Sequence, residues 1–267
     1  MDERKPLHLP TFGRRFWPPV LLGLLGIGSL ALQLHRELPR QLAAGVLPSD
    51  LAALPPVQLL ALSLLNPALL LLLAGVLGAA LAHRVGLVSW SAGTASRPTG
   101  REVGAAVLAG LLLSALLWGL DLVFSGSAGL DAQALAQRVP GAGARLMAGV
   151  LYGGLTEEVM SRWGVLSLLA WALHRVLRRG PAPPGAGVLW TANVAAALLF
   201  AAGHLPALAA ATEPTAAWIA RTLLLNALAG LVYGWIFLRG RLESAMAAHA
   251  ATHLGFWLLG LAAAAAA

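Results

Sequence analysis

Long apolar runs recur along almost the whole chain, and they decide which folds are open to it. Seven stretches, near 17–34, 57–82, 104–124, 146–173, 187–210, 216–238 and 243–264, approach or exceed the ~18–20 residues that cross a bilayer as a helix. Backbone in hydrocarbon must satisfy its own N–H and C=O groups, and these runs are far longer than the ~10-residue alternating strands of a membrane barrel. The expected fold is therefore all-α, a polytopic transmembrane helical bundle of about seven spans, eight at most, with no soluble domain. Composition agrees: 11% of the residues are charged and 58% hydrophobic, whereas a soluble domain carries about 25% charged residues.

The chain divides by polarity into a basic N-terminal segment, 1–16, a first group of membrane helices, 17–124, and a second group, 146–264, that holds the ionisable residues. A net charge of +7 over 267 residues and a pI near 11.4 raise the question of nucleic acid. However, the Lys and Arg residues lie in short segments between apolar runs, as topology signals do, so the expected partner is the lipid bilayer and no nucleic acid. With the N-terminus inside, twelve basic residues fall on the cytoplasmic side: Arg4, Lys5, Arg14, Arg15, Arg84, Arg97, Arg101, Arg175, Arg178, Arg179, Arg239 and Arg241. Five fall outside, Arg36, Arg40, Arg138, Arg145 and Arg221, and Arg162 lies within a span. The excess predicts a cytoplasmic N-terminus. Ser29-Leu30-Ala31 loosely resembles a signal cleavage site, but 18 apolar residues favour a retained first helix.

The absence of cysteine excludes disulfides, a thiol nucleophile and thiolate metal ligands, leaving His and carboxylate as the donors for any metal. The segment from Arg178 to Gly185, rich in Pro and Gly, reads as a turn. Gly149 with Gly153, and Gly230 with Gly234, have the four-residue spacing that lets helices approach closely, and helix packing is the expected role of both pairs.

Chemistry concentrates in the fourth run, where Glu157, Glu158 and Arg162 interrupt an apolar helix. Each ionised group costs roughly 2.5–3.5 kcal/mol at the bilayer centre on insertion scales, so together they oppose insertion by about 8–10 kcal/mol unless paired or hydrated. Glu158 and Arg162, four apart with the acid first, suit a helical ion pair, while Glu157 points about 100° away and is left for another role. Further on, His204 follows Phe200 by four residues, and His249 and His253 share a helix face. Asn66, Asp121, Asn193 and Asn226 are expected to be packing or capping groups, and His8, His35, His83 and His174, at helix ends or loops, to be solvated.

These residues resemble three motifs of the CAAX proteases and bacteriocin-processing enzymes, the CPBP intramembrane proteases. Glu157, Glu158 and Arg162 match Glu-Glu-x-x-x-Arg; Phe200 and His204 match Phe-x-x-x-His; His249 opens the third motif, in which His253 stands where the family has Asn or Asp. The resemblance, which covers about 156–253 and marks 146–264 as the catalytic core, implies an endopeptidase acting on a membrane-associated protein or peptide. Glu157 would be the general base on a water. His204 and His249 would either hold a metal, zinc being the candidate with Glu157 or His253 as a further ligand, or stabilise the oxyanion in a metal-free glutamate mechanism. Glu158, Arg162, Phe200 and His253 would support them. The rival reading is a proton- or cation-coupled transporter using the same buried residues, although no internal repeat is evident. The Ala-, Leu-, Gly- and Arg-rich composition suggests a bacterial inner membrane.

One count resists the site. At 1.5 Å per residue from the span ends, Glu157, His204 and His249 fall at different depths of a ~30 Å core. The topology has a direct check. Because the chain has no cysteine, an Arg178→Cys variant labelled with a membrane-impermeant thiol reagent should stay unreacted in intact cells and react after permeabilisation; labelling from outside would invert the orientation.

Overall fold

The computed structural model describes residues 9–43, 45, 47, 49–127, 142–177 and 183–266. They form a helical bundle, with no strand among the described residues. Its main helices, beside the single turn Ser49–Ala52, are α1 (Phe12–Ala43), α2 (Pro56–Leu81), α3 (Gly100–Ser127), α4 (residues 142–177), α5 (Ala186–Ala202), α6 (Leu205–Ala211), α7 (Ala216–Arg239) and α8 (Leu242–Ala266). Among the described residues, six helical segments are long and apolar enough to cross a membrane: Phe12–Ala43, Pro56–Val85, Gly100–Gly126, Ala186–Ala210, Ala216–Arg239 and Leu242–Ala266. The seventh expected span is α4, which carries the ionisable residues and packs against α1, α2, α5 and α8. Leu side chains on the outer faces of α2, α3 and α5, such as Leu69, Leu112 and Leu198, are exposed where lipid would lie.

Local chemistry sets several boundaries. Thr99 and Glu102 form a capping box at the start of α3: the Glu102 amide donates to Thr99 Oγ1 at 3.2 Å, and the Thr99 amide donates to Glu102 Oε2 at 2.7 Å. Thr215 caps α7 by accepting from the Trp218 amide. Gly86, at φ 76°, ends the 3₁₀ turn Ala82–Val85 that follows α2, a left-handed position that suits glycine. α1 continues unbroken through Ser29, Leu30 and Ala31 to Ala43.

At one end of the bundle Glu243, at the start of α8, gathers the loop between α2 and α3. Its carboxylate accepts from Ser89 Oγ, the Trp90 amide, and both the amide and hydroxyl of Ser91, at 2.7–3.0 Å. Arg14 donates to the Ser91 carbonyl at 2.5 Å, and Arg241 pairs with Glu102 at 2.8 Å. The α1, α2–α3 and α7–α8 segments are thereby tied together by charge-assisted bonds. Two further ion pairs, Arg145 with Glu37 at 3.2 Å and Arg221 with Asp121 at 2.5 Å, join α4 to α1 and α7 to α3.

α4 departs from regular helix. Between α-helical ends at Ala142–Ala148 and Ser167–Leu177 it winds as π-helix over Gly149–Glu157 and Val159–Leu166, a rare form that is frequent at functional sites. Small residues let its neighbours close in. A Cβ on Gly26 of α1 would lie 2.5 Å from the Leu151 carbonyl oxygen, and one on Gly164 would lie 2.7 Å from Ala74 Cα. Thr156 uses the first approach to donate to the Gly23 carbonyl at 2.6 Å.

Some expectations shift. His174, expected to be solvated, is 8% exposed, because the end of α4 packs against α2 and the turn at Ala82–Val85. Asn193 is a packing residue: its amide donates to the Leu231 carbonyl at 3.1 Å, in space that Gly234 leaves by lacking a side chain. Residues 178–182 of the expected turn, together with Arg4, Lys5, His8 and Arg138, lie outside the described residues.

Candidate active site

Glu158 lies at the junction of the two π-helical stretches and has no exposed surface. Its Oε1 is 3.1 Å from Arg162 Nη1, the pair expected from the i,i+4 spacing, and the Arg162 side chain is only 2% exposed. Arg162 also donates through Nη2 to the Gly230 carbonyl at 3.0 Å. Its guanidinium carbon sits 4.7 Å from the Phe200 ring centre and 5.3 Å from that of Tyr233, so two aromatic faces help to hold the cation out of water. Phe200, which the motif marked only as a support, thus has a definite contact.

The same Glu158 oxygen is 2.8 Å from His249 Nδ1. Facing the Arg162 guanidinium, the carboxylate accepts and the ring nitrogen donates. That bond fixes the imidazole and turns Nε2 toward Glu157, whose Oε2 lies 3.9 Å away. The gap is too long for a direct hydrogen bond and suited to a bridging water. Tyr233 stacks on the other face of the site, 4.3 Å from the His249 ring centre and 17° from parallel. His204, the residue between α5 and α6, donates through Nδ1 to the Phe200 carbonyl at 2.8 Å, because a carbonyl can only accept. Its Nε2 is left for a ligand. Phe200 packs edge-on against His204 at 4.7 Å and against His249 at 6.1 Å.

His253 stacks on His249 with ring centres 5.1 Å apart. Space for it comes from α4: a Cβ on Gly149 would lie 2.7 Å from His253 Nδ1, and one on Gly153 would lie 2.5 Å from His253 Nε2 and 3.2 Å from His249 Nε2. This glycine pair therefore does more than bring helices together. It makes the recess that the two histidine rings occupy. Gly230, in contrast, packs closely on Ala197, as a helix-contact glycine should.

Glu157, His204, His249, His253, Phe200 and Tyr233 all line one cavity of about 670 Å³. The depth discrepancy disappears because even counting along each span fails here: α4 widens into π-helix and α5 breaks at Gly203 and His204. Asp121 and Arg221, paired 100 positions apart, also line this cavity, as do Asn226 and Tyr152. Tyr152 and Tyr233 escaped the sequence reading because an aromatic residue in an apolar span looks like packing, whereas Asp121 and Arg221 each looked like a helix-end group.

A zinc ion is only partly suited by these donors. Anchoring each imidazole through Nδ1, to Glu158 or to the Phe200 carbonyl, is how metal-binding histidines are oriented. Yet among the described residues no group of three or more His, Asp or Glu side chains converges on one point, and catalytic zinc takes three protein ligands.

The bundle thus gathers a carboxylate pair, a buried cation and anchored histidines around one cavity, and ionisable groups within membrane spans mark candidate functional sites. Residues 140–255, from the start of α4 into α8, match the family described as type II CAAX prenyl endopeptidase Rce1-like. Through this segment, rather less than half of its length, the chain is similar to that family of membrane peptidases. No curated protein and no solved structure matches the chain.

The recess behind His249 is testable. Gly153→Ala should lower turnover at least tenfold by pushing His253 and His249 out of line, and a second change, His253→Ala, should recover much of it by clearing the space. Cleavage of a reporter peptide by both variants decides this; unaltered turnover in Gly153→Ala would remove the steric role.

Proposed function

We propose that this chain is an intramembrane endopeptidase that hydrolyses a peptide bond of a membrane-associated protein or peptide, with Glu157 as the base that activates water. The observation that carries the reading is the approach of Glu157 Oε2 to His249 Nε2, 3.9 Å across the cavity, while the other nitrogen of His249 is held by Glu158.

A water seated between Glu157 and His249 gives its proton to the Glu157 carboxylate as its oxygen attacks the scissile carbonyl. The new C–O bond pushes charge onto the carbonyl oxygen. His204, with Nδ1 anchored on the Phe200 carbonyl, stabilises that oxyanion through Nε2 when the ring carries both protons. The proton taken from water then passes through His249 Nε2 to the leaving amine as the C–N bond breaks. Glu158 balances the imidazolium formed during the transfer, so it and Arg162 position and compensate the site without contacting substrate. The stack of Tyr233 on His249 keeps the ring in plane during the transfer.

The substrate follows the family description: a protein ending in a Cys-aliphatic-aliphatic-X sequence that carries a prenyl group. The wall of the cavity, largely apolar with the Asp121–Arg221 pair at one side, suits an apolar peptide end whose terminal carboxylate stays near a cation. Zinc remains compatible with the donor chemistry of His204 and His249; bound there, it would supply Lewis acidity toward the carbonyl.

The central test is Glu157→Gln. This variant keeps the shape of the side chain but cannot accept the proton, so it should insert and fold normally and lose turnover by about 10²–10⁴-fold, the usual worth of a general base. His204→Ala and His249→Ala should likewise be inserted and inactive. Comparing reporter-peptide cleavage with membrane protein level checks all three; full turnover in Glu157→Gln would sink the assignment.

A further inference from the structure

Two clefts meet at Glu157. Besides the larger cavity, a cleft of about 300 Å³ lies between α2, α4 and α5 and shares Tyr152, Glu157, Phe200 and His204 with it. Its remaining walls are mostly aliphatic, with Leu70, Leu73 and Leu199 exposed on the outside of the bundle where hydrocarbon would be. The cleft thus joins the lipid-facing surface to the catalytic carboxylate.

Two polar side chains in this cleft have no part in the network around Glu158: Asn66 on α2 and Ser161 on α4. Asn66 is exposed and is the eleventh residue of α2, so it lies about 15 Å from the helix start, at mid-depth of a ~30 Å core. Neither its carboxamide nor the Ser161 hydroxyl has a hydrogen-bond partner among the described residues. An unpartnered carboxamide facing hydrocarbon opposes insertion, and polar groups at such depth mark functional positions. Packing does not explain it, since Asn66 has no polar group to pair with. Ser161 follows Glu157 by four residues and lines the same cleft.

We propose that Asn66, assisted by Ser161, hydrogen-bonds the main chain of a peptide substrate that reaches Glu157 through this cleft from the lipid side. The inference rests on the peptidase reading above. An extended peptide offers N–H and C=O groups along its edge, and a carboxamide presents one acceptor and two donors in one plane, so Asn66 can pair with both groups of a substrate residue. Main-chain pairing of this kind holds a segment without reading its side chains, which the aliphatic walls then do. It also removes the cost of carrying peptide N–H and C=O groups into hydrocarbon unpaired. Asn66 is in this account a positioning residue for binding, and it takes no proton.

The test uses the full chain in detergent and three reporter peptides with a Cys-aliphatic-aliphatic-X end: prenylated, unprenylated, and one series N-methylated at single backbone positions. Cleavage is measured with Glu157 intact, and binding of the dye-labelled peptides by anisotropy in the Glu157→Gln background. Asn66→Leu should raise KM and Kd roughly five- to tenfold, the worth of one hydrogen bond. It should leave kcat nearly unchanged and the unfolding temperature equal or higher, with the same factor for prenylated and unprenylated peptides. One N-methyl position should weaken binding to the Asn66 protein and cause no further loss in Asn66→Leu, and Asn66→Gln should restore part of the affinity. Unchanged KM and Kd in Asn66→Leu, an effect confined to the prenylated peptide, or a change only in oligomeric mass would overturn the proposal while leaving the peptidase reading intact. If the chain cleaves no reporter yet binds them with this N-methyl signature, the cleft assignment stands and the peptidase reading fails.

Discussion

A carboxylate with no exposed surface, set inside a membrane bundle between a guanidinium and an imidazole, is the contact on which the rest of this structure depends. Glu158 faces Arg162 at 3.1 Å and His249 at 2.8 Å through the same oxygen. Removing charges from water is costly, and their mutual attraction repays the cost only when geometry is good and other polar contacts are made. Here those contacts come from three helices: the Gly230 carbonyl of α7, the Phe200 ring of α5, the Tyr233 ring of α7 and the His249 ring of α8 all close on α4. The charged helix is consequently the central one, while the aliphatic outer faces of α2, α3 and α5 meet the lipid.

That central position requires small residues around it. α4 brings Gly149, Gly153, Gly154 and Gly164 against its neighbours, and α1 and α2 answer with Gly26 and Gly78. In hydrocarbon, close approach and polar contacts hold helices together because there is no water to expel between apolar faces. The same close approach creates the recess for His249 and His253, so packing and site are one arrangement. Glu157, one residue from the buried anchor, escapes the network and reaches two clefts. Adjacent carboxylates thus have different surroundings, one enclosed by countercharge and the other open to a ligand.

Much of this was legible from residue order. The sixth run, 216–238, is α7 (Ala216–Arg239) nearly to the residue, because apolar length and terminal Gly and Pro fix a membrane helix without reference to its neighbours. The Glu158–Arg162 pair was legible for a similar reason, since it lies within one helix. The π-helical winding of α4 was not, because it arises from contacts that local spacing does not encode. Nor was the break at His204, which defeated the depth count. Tyr233 and the Asp121–Arg221 pair were hidden for another reason: their significance lies in partners far along the chain, and neither an aromatic nor a helix-end charge announces such a partner. His174 shows the converse error, a polar residue near a helix end that tertiary packing covers.

The division between the two carboxylates is most directly tested by unfolding stability in detergent for Glu158→Gln alone and for Glu158→Gln combined with Arg162→Met. Stranding the Arg162 charge should cost about 3–5 kcal/mol, and replacing that cation by an apolar chain of similar length should return most of the loss. A Glu158→Gln protein as stable as the parent, or a double variant no more stable than Glu158→Gln, would contradict the account in which Glu158 is the buried anchor of the site.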